Sequence, residues 1–224
     1  MTIISDISFW VEKSTMACIV GPNGSGKSTL VKAIFTISDV LSGKIYVDGD
    51  DVTGRGPQHL VRKGVAYVPQ IGNVFGSMTV DENWEVAARA ARNRRSEDRK
   101  ATAFSLFPKL RERHDQKVST LSGGERQMVA AGMGLVAGAN TLIMDEPTAG
   151  LAPRVARRLL ADLKGLVKEG FTVVIVEQNA RSGLEVADTA LVLVSGKTAY
   201  FGDPSPLLQA GDLGNLFMGT IKAS

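Results

Sequence analysis

The chain has 224 residues, 44% apolar and 22% charged, which can bury one substantial core and excludes a disordered or collagen-like molecule. Its formal charge of +3 is too small to argue for nucleic acid, and its single cysteine, Cys18, excludes a disulfide framework and a cysteine-based metal site. No basic n-region followed by a long apolar stretch opens the sequence, so neither a signal peptide nor export is expected.

Residues 3–11 alternate as a strand, and Glu12-Lys13-Ser14-Thr15 turns the chain into the apolar strand Met16-Ala17-Cys18-Ile19-Val20. Next comes Gly21-Pro22-Asn23-Gly24-Ser25-Gly26-Lys27-Ser28, which fits the phosphate-loop pattern G-x-x-x-x-G-K-[ST] without a mismatch. Residues 29–37, opening at Thr29, read as a helix with Leu30, Ala33, Ile34 and Ile37 on one face. Strand, glycine loop and helix aim a row of backbone N–H groups and a helix N-terminus at one point, as a polyphosphate requires. Lys27 would reach the β- and γ-phosphates, and Ser28 would give its hydroxyl to Mg²⁺, a hard cation that prefers oxygen. Further on, residues 44–49 predict a strand closed by a turn, 57–63 a short helix stopped by Gly64, and 65–68 a buried strand stopped by Pro69. Gln70 comes directly after it.

Between residues 71 and 118 the character turns helical. Thr79-Val80-Asp81-Glu82 is a capping box continued from Trp84 to Arg92, which predicts a helical subdomain at about 72–138 inserted into a core of 1–71 and 139–224. The basic run of Arg89, Arg92, Arg94, Arg95, Arg99 and Lys100 reads as a solvated helical face. Leu121-Ser122-Gly123-Gly124-Glu125 precedes a helix running from Arg126 towards Ala137; two glycines at a helix start let backbone N–H groups approach an anion. Residues 128–144 carry no charge, yet Gly132, Gly134, Gly138 and Asn140 divide them into a buried helix, a break and a buried strand, so no membrane span is expected.

That strand ends in Asp145-Glu146. Alone, such a pair could merely cap the next helix; beside a phosphate loop, Asp145 is expected to hold Mg²⁺ through water and Glu146 to accept a proton from the attacking water. Residues 153–169 read as a helix stopped by Gly170, and 171–176 as a buried strand after which Gln178 emerges. Residues 189–194 and 198–201 flank Ser195-Gly196-Lys197 as a hairpin. Strands alternating with helices predict an α/β fold with a mainly parallel sheet, an antiparallel edge, and ligands at the carboxyl ends of the strands.

With Leu121-Ser122-Gly123-Gly124-Glu125 in place, the chain resembles the ATP-binding subunit of an ABC transporter, whose signature is LSGGE. The resemblance implies a phosphate-loop NTPase in which Ser122, Gly123 and Gly124 touch the γ-phosphate held by a second ATPase subunit, alike or related, facing head to tail. It implies that Gln70 contacts Mg²⁺ or the attacking water and that Gln178 sits beside the γ-phosphate. Ser42-Gly43-Lys44-Ile45, the run from Thr79 to Asn83, Glu146-Pro147-Thr148 and Gly150-Leu151-Ala152-Pro153 are also characteristic. The last two, with Val176-Glu177-Gln178-Asn179-Ala180, are most similar to an ATPase subunit of branched-chain amino acid importers, a group that urea and amide importers resemble. The resemblance thus implies hydrolysis of ATP with Mg²⁺ on the cytoplasmic face of the cell membrane. The implied partners are membrane permeases and, indirectly, a periplasmic solute-binding protein, with no nucleic acid.

Two rival readings stand beside it. One is a soluble ABC-type ATPase acting on nucleic acid or ribosomes, although such proteins add coiled-coil arms, zinc clusters or a tandem module. The other is a weakly hydrolysing regulatory subunit, because Gln178 replaces the usual switch-loop histidine and Ala152 the usual D-loop aspartate, with His59 and His114 far from that place. By the same resemblance, the aromatic that stacks on adenine is expected upstream of the first residue given.

Overall fold

Five short, almost purely apolar stretches can satisfy their backbone only in the middle of a sheet covered on both faces, and the computed structural model, described for residues 3–91 and 95–209, places them there. In chain order the elements are β1 (Met16–Val20), α1 (Lys27–Ile34), β2 (Tyr46–Val47), β3 (Asp50–Asp51), α2 (Pro57–Arg62), β4 (Val65–Val68), α3 (Val80–Ala91), α4 (Ser96–Leu106) and α5 (Pro108–Arg111). A single 3₁₀ turn at Val118–Thr120 leads to α6 (Gly123–Val136), β5 (Thr141–Asp145), α7 (Pro153–Lys168), β6 (Thr172–Glu177), α8 (Ala180–Leu184), β7 (Thr189–Val194), β8 (Lys197–Gly202) and α9 (Ser205–Gln209).

The main sheet has the order β4-β5-β6-β1-β7-β8. Its first five strands are parallel, and only the β7–β8 pair is antiparallel. The expected α/β architecture with an antiparallel edge is therefore what forms, with β2 and β3 as a separate hairpin. Alternate residues of β1 feed two cores. Met16, Cys18 and Val20 meet Trp84, Leu135 and Leu160 on one face. Ala17 and Ile19 meet Leu30, Val31 and Leu60 on the other. This double burial is why β1 reads as an unbroken apolar run, and it puts the phosphate loop at the centre of the sheet's carboxyl edge.

Several local expectations are met in detail. Thr79 and Glu82 form the capping box of α3: the Thr79 N–H donates to Glu82 Oε2 at 2.8 Å and the Glu82 N–H to Thr79 Oγ1 at 3.1 Å. The uncharged stretch divides into α6, a break with Gly138 at φ +106°, and β5. Among the described residues no helix is long and apolar enough to cross a membrane. At the β7–β8 hairpin, Val194 pairs with Lys197, leaving Ser195 (φ +48°) and Gly196 (φ +77°) as the left-handed pair that a type I′ turn needs.

Other expectations are corrected. Residues 7–11 keep their alternation, with Ile7, Phe9 and Val11 against the second core, and Ile4 joins them across a break at Asp6 (φ +55°), but no described strand pairs with the segment, so no ladder forms. The Ser5 N–H donating to the Gly196 carbonyl at 2.8 Å holds this segment. The Phe9 and Trp10 rings, 6.3 and 4.6 Å from Phe201, hold it too. The first helix stops at Ile34, because Thr36 turns left-handed (φ +53°), and this leaves Ile37 exposed outside it. Only Tyr46 and Val47 of the strand expected over 44–49 are paired. The basic run is not uniformly solvated: Arg99 donates to the Ala139 carbonyl at 3.2 Å and to Asn140 Oδ1 at 2.8 Å, and Lys100 pairs with Asp81 at 3.0 Å. Arg92 and Arg94 lie outside the described residues.

Between α3 and α6, the fully buried Trp84 donates its indole N–H to the Val129 carbonyl at 3.0 Å. Its ring covers Gly132, where an added β-carbon would lie 2.7 Å from the indole nitrogen and closer still to two ring carbons. Overpacking of this kind costs about 1–3 kcal/mol, so Gly132→Ala should lower unfolding stability by that amount. Urea unfolding followed by tryptophan fluorescence measures it; an unchanged midpoint would mean that the indole has room to retreat.

Candidate active site

The loop after β1 is shaped by its glycines. Gly24 (φ +77°) and Gly26 (φ +97°) take left-handed conformations, and Gly26 is the N-cap of α1. Close approach matters as well, since a β-carbon at Gly21 would strike the Leu193 carbonyl oxygen and one at Gly26 the Ile4 side chain. The Gly196 N–H, at the tip of the β7–β8 hairpin, donates to the Ser25 carbonyl at 3.1 Å and braces the loop from outside. Lys27 is buried and curls over its own loop, donating from Nζ to the carbonyls of Gly21 at 2.8 Å and Pro22 at 3.0 Å. Desolvation lowers its ammonium pKa, and the charges of Glu146 and Asp145 oppose that shift.

The two carboxylates end β5. Asp145 Oδ1 accepts from the Ser28 hydroxyl at 3.4 Å, and its Oδ2 accepts from the Tyr67 hydroxyl at 3.2 Å. Burial, then the charge of Asp145, pushes the Tyr67 phenol up to about 12, so it stays a donor. Tyr67 was not foreseen as a site residue; a polar tip on an otherwise apolar strand was its only signal. Glu146 adopts φ +48° and donates its N–H to the Val176 carbonyl at 2.8 Å, while its Oε2 accepts from Gln70 Nε2 at 3.0 Å. Gln70 and Glu146 are therefore in direct contact.

Glu177 is the second residue that sequence reasoning missed, although a glutamate closing an apolar strand is itself an anomaly. It is 1% exposed and accepts from Thr148 twice, from its N–H at 3.2 Å and its hydroxyl at 2.8 Å. Burial pushes its carboxyl up to about 7, against the pull of the Thr148 bonds and with the charge of Glu146 adding to the push. Gln178 comes next, exposed at the same edge.

Among the described residues no group of three His, Cys, Asp or Glu side chains converges as a metal site. A phosphate-bound Mg²⁺ needs only one or two protein oxygens. The Ser28 hydroxyl and the Asp145 carboxylate, hard donors in contact with each other, fit it.

Ser122 caps α6 through a complete capping box: Glu125 Oε2 accepts from the Ser122 N–H at 2.9 Å and from its hydroxyl at 2.7 Å. Burial works to raise the Glu125 carboxyl, but these bonds and Arg113 bring it below the usual carboxylate range. A β-carbon at Gly123 would meet a Leu151 methyl at 2.5 Å and one at Gly124 a Val155 methyl at 2.7 Å. These glycines thus let the start of α6 sit against the segment leading into α7. The structure joins Gly21 to Ser28, Gln70, Asp145, Glu146 and Gln178 along one edge; no described hydrogen bond joins Ser122, Gly123 or Gly124 to them.

The ABC transporter family model matches residues 4–149. The chain is 41% identical to the "probable branched-chain amino acid transport ATP-binding protein LivF" of Archaeoglobus fulgidus, covering 98% of this chain and 93% of that one. It is 34% identical to the "high-affinity branched-chain amino acid transport ATP-binding protein BraG" of Pseudomonas aeruginosa, over 96% of this chain and 93% of that one. Among solved structures, the ADP conformation of MJ1267, an ATP-binding cassette of an ABC transporter, superposes with a TM-score of 0.86 at 25% identity, covering 97% and 92% of the two chains.

The buried Glu177 carboxyl gives the site a pH signature. A carboxyl at about 7 in the native state, against about 4.3 in an unfolded chain, binds its proton more tightly when folded. Its contribution is thus fully present below the unfolded value and lost as pH climbs through about 7. The groups facing it are the Glu146 charge and the Cys18 thiol, itself pushed up by burial. Relative to Glu177→Gln, the wild type should lose on the order of 2 kcal/mol between pH 5 and 8. Urea unfolding of both forms across that range checks this; parallel curves would show the carboxylate to be well solvated.

Proposed function

The chain belongs to the ABC transporter family, as an ATP-hydrolysing subunit that powers transport, and on that premise we propose that it drives import of branched-chain amino acids. The near-full-length likeness to two ATP-binding proteins of branched-chain amino acid transport carries this reading. In it, the chain sits peripherally on the cytoplasmic face of the membrane, paired with a second ATPase subunit beneath permease subunits that a periplasmic binding protein supplies. Residues 72–138 act as a helical subdomain inserted into a core of 1–71 and 139–224.

The residues divide the chemistry among themselves. Backbone N–H groups from Gly21 through Thr29, Pro22 excepted, cradle the phosphates, with Asn23, Gly24, Ser25 and Gly26 shaping the turn. Lys27 exchanges the carbonyls of Gly21 and Pro22 for β- and γ-phosphate oxygens, a move of its flexible stem alone. Ser28 and Asp145 would hold Mg²⁺, with Gln70 beside them; the ion would supply positive charge against the phosphates. Glu146 takes a proton from the attacking water as that oxygen bonds to the γ-phosphorus, and the bond to the bridging oxygen breaks with its electron pair leaving on ADP. Gln70 steadies the Glu146 carboxylate, and Gln178 orients the phosphate without titrating, since an amide donates and accepts but takes up no proton near neutral pH. Ser122, Gly123 and Gly124 serve the nucleotide held by the facing subunit.

Proteoliposomes containing the chain, its partner ATPase and its permeases should take up leucine with ATP inside and leucine-loaded binding protein outside; uptake of urea or an amide in place of leucine would reassign the solute. Glu146→Gln should slow hydrolysis while keeping nucleotide bound, giving a stable dimer in Mg-ATP. Size-exclusion chromatography reads that state, and a monomer with and without Mg-ATP, alone and with the partner ATPase, would sink the two-subunit site. Gln178→His should keep ATPase activity within about tenfold, or ~1.4 kcal/mol of barrier, whereas Gln178→Ala loses more. Steady-state rates of the three forms decide, and an undiminished Gln178→Ala would remove Gln178 from the chemistry.

A further inference from the structure

Glu146 acts from an awkward backbone conformation. Its φ of +48° lies in the left-handed region, where a residue with a β-carbon costs about 1–2 kcal/mol. Such a geometry persists only where its surroundings impose it. The next two residues, Pro147 and Thr148, offer little help of their own, since Pro147 has no N–H to give.

Beside the turn's own bond, from the Ala149 N–H to the Glu146 carbonyl at 3.1 Å, the restraint comes from β6, the neighbouring strand. On one side of Pro147 the Glu146 N–H donates to the Val176 carbonyl at 2.8 Å. On the other side Thr148 donates its N–H to Glu177 Oε1 at 3.2 Å and its hydroxyl to Glu177 Oε2 at 2.8 Å. Consecutive residues of one strand thus grip the turn before and after its proline. Resting on the assignment of Glu146 as the base, we propose that Glu177 is a positioning residue for hydrolysis, whose carboxylate clamps Thr148 and thereby holds Glu146 in its working conformation.

A carboxylate is the side chain this task requires. It accepts from one threonine in a fork, the N–H on one oxygen and the hydroxyl on the other, whereas a glutamine in its place has one acceptor oxygen and an amide nitrogen that only donates. The site also keeps it despite opposing electrostatics, because burial and the nearby Glu146 charge both disfavour a second negative group there. Gly183 leaves room for it: a β-carbon at that position would lie 3.2 Å from Glu177 Cβ and 3.3 Å from its Cγ.

The test uses the chain assembled with its partner ATPase and permeases, comparing wild type with Glu177→Gln, Thr148→Val, Thr148→Ser and the double variant Glu177→Gln/Thr148→Val. Glu177→Gln and Thr148→Val should each lower kcat about tenfold with KM for ATP unchanged, Thr148→Ser should restore the rate by returning the hydroxyl, and the double variant should be no slower than the slower single. A wild-type kcat for Glu177→Gln, a fall shared with KM, or multiplicative loss in the double variant would overturn the proposal. Should Glu177→Gln fail to fold, the Thr148→Val and Thr148→Ser pair decides alone, and equal rates for those two overturn it. Glu146→Gln in the same assay separates the two assignments: if it hydrolyses ATP like wild type, the base itself is misassigned, whereas an inactive Glu146→Gln beside an unaffected Glu177→Gln removes only the clamp.

Discussion

Parallel register is the constraint on which the site depends. Val20 is level with Glu177 across the β1–β6 pair, and Asp145 is level with Val176 across β5–β6. Adjacent strands lie about 4.8 Å apart, so the segments leaving Val20, Glu177 and Asp145 emerge along one short edge. Three segments far apart in sequence, the phosphate loop, Gln178 and the Asp145-Glu146 pair, are brought within side-chain reach by that alignment alone. Burial on both faces enforces it, because a one-residue slip would exchange the residues feeding the two cores.

The edge collects groups that a stable protein would avoid. Lys27 is buried with its charge, Glu146 is held at positive φ, and Glu177 is shut away from water beside another carboxylate. Each of these costs free energy that the double core beneath must offset, and their clustering marks this edge as a candidate site. Their partners are specific: carbonyls for Lys27, β6 for the Glu146 turn, Thr148 for Glu177. The site therefore reads as charges and strain held in place by the surrounding fold.

The signature segment shows how one residue type meets two demands. Gly123 and Gly124 leave backbone N–H groups open at the start of α6, as anion contact needs, and they also admit Leu151 and Val155 at distances no β-carbon would allow. The start of α6 is thereby tied to the segment after Glu146, while its far end is locked to α3 by Trp84 against Gly132. Helix α6 thus bridges α3 and the segment between Glu146 and α7.

The sequence by itself determined the features encoded within a few residues. The strand–glycine loop–helix unit, the Thr79–Glu82 capping box, the Ser195-Gly196 hairpin, the break at Gly138 and the Asp145-Glu146 strand end are legible because turn chemistry, capping and apolar periodicity are local. That the strands form a mainly parallel sheet could be read from their alternation with helices, whereas their order β4-β5-β6-β1-β7-β8 came from the structure. Only the tertiary structure decided which polar atoms meet. Tyr67 reaches Asp145 across 78 positions, Gln70 reaches Glu146 across 76, and Thr148 reaches Glu177 across 29. It also left residues 3–11 unpaired, since alternation marks a segment that could be a strand while a ladder needs a neighbouring edge. A pattern along the chain states which face a residue turns inward; which group it finds there depends on the register of distant strands, and that is set by how the whole core packs.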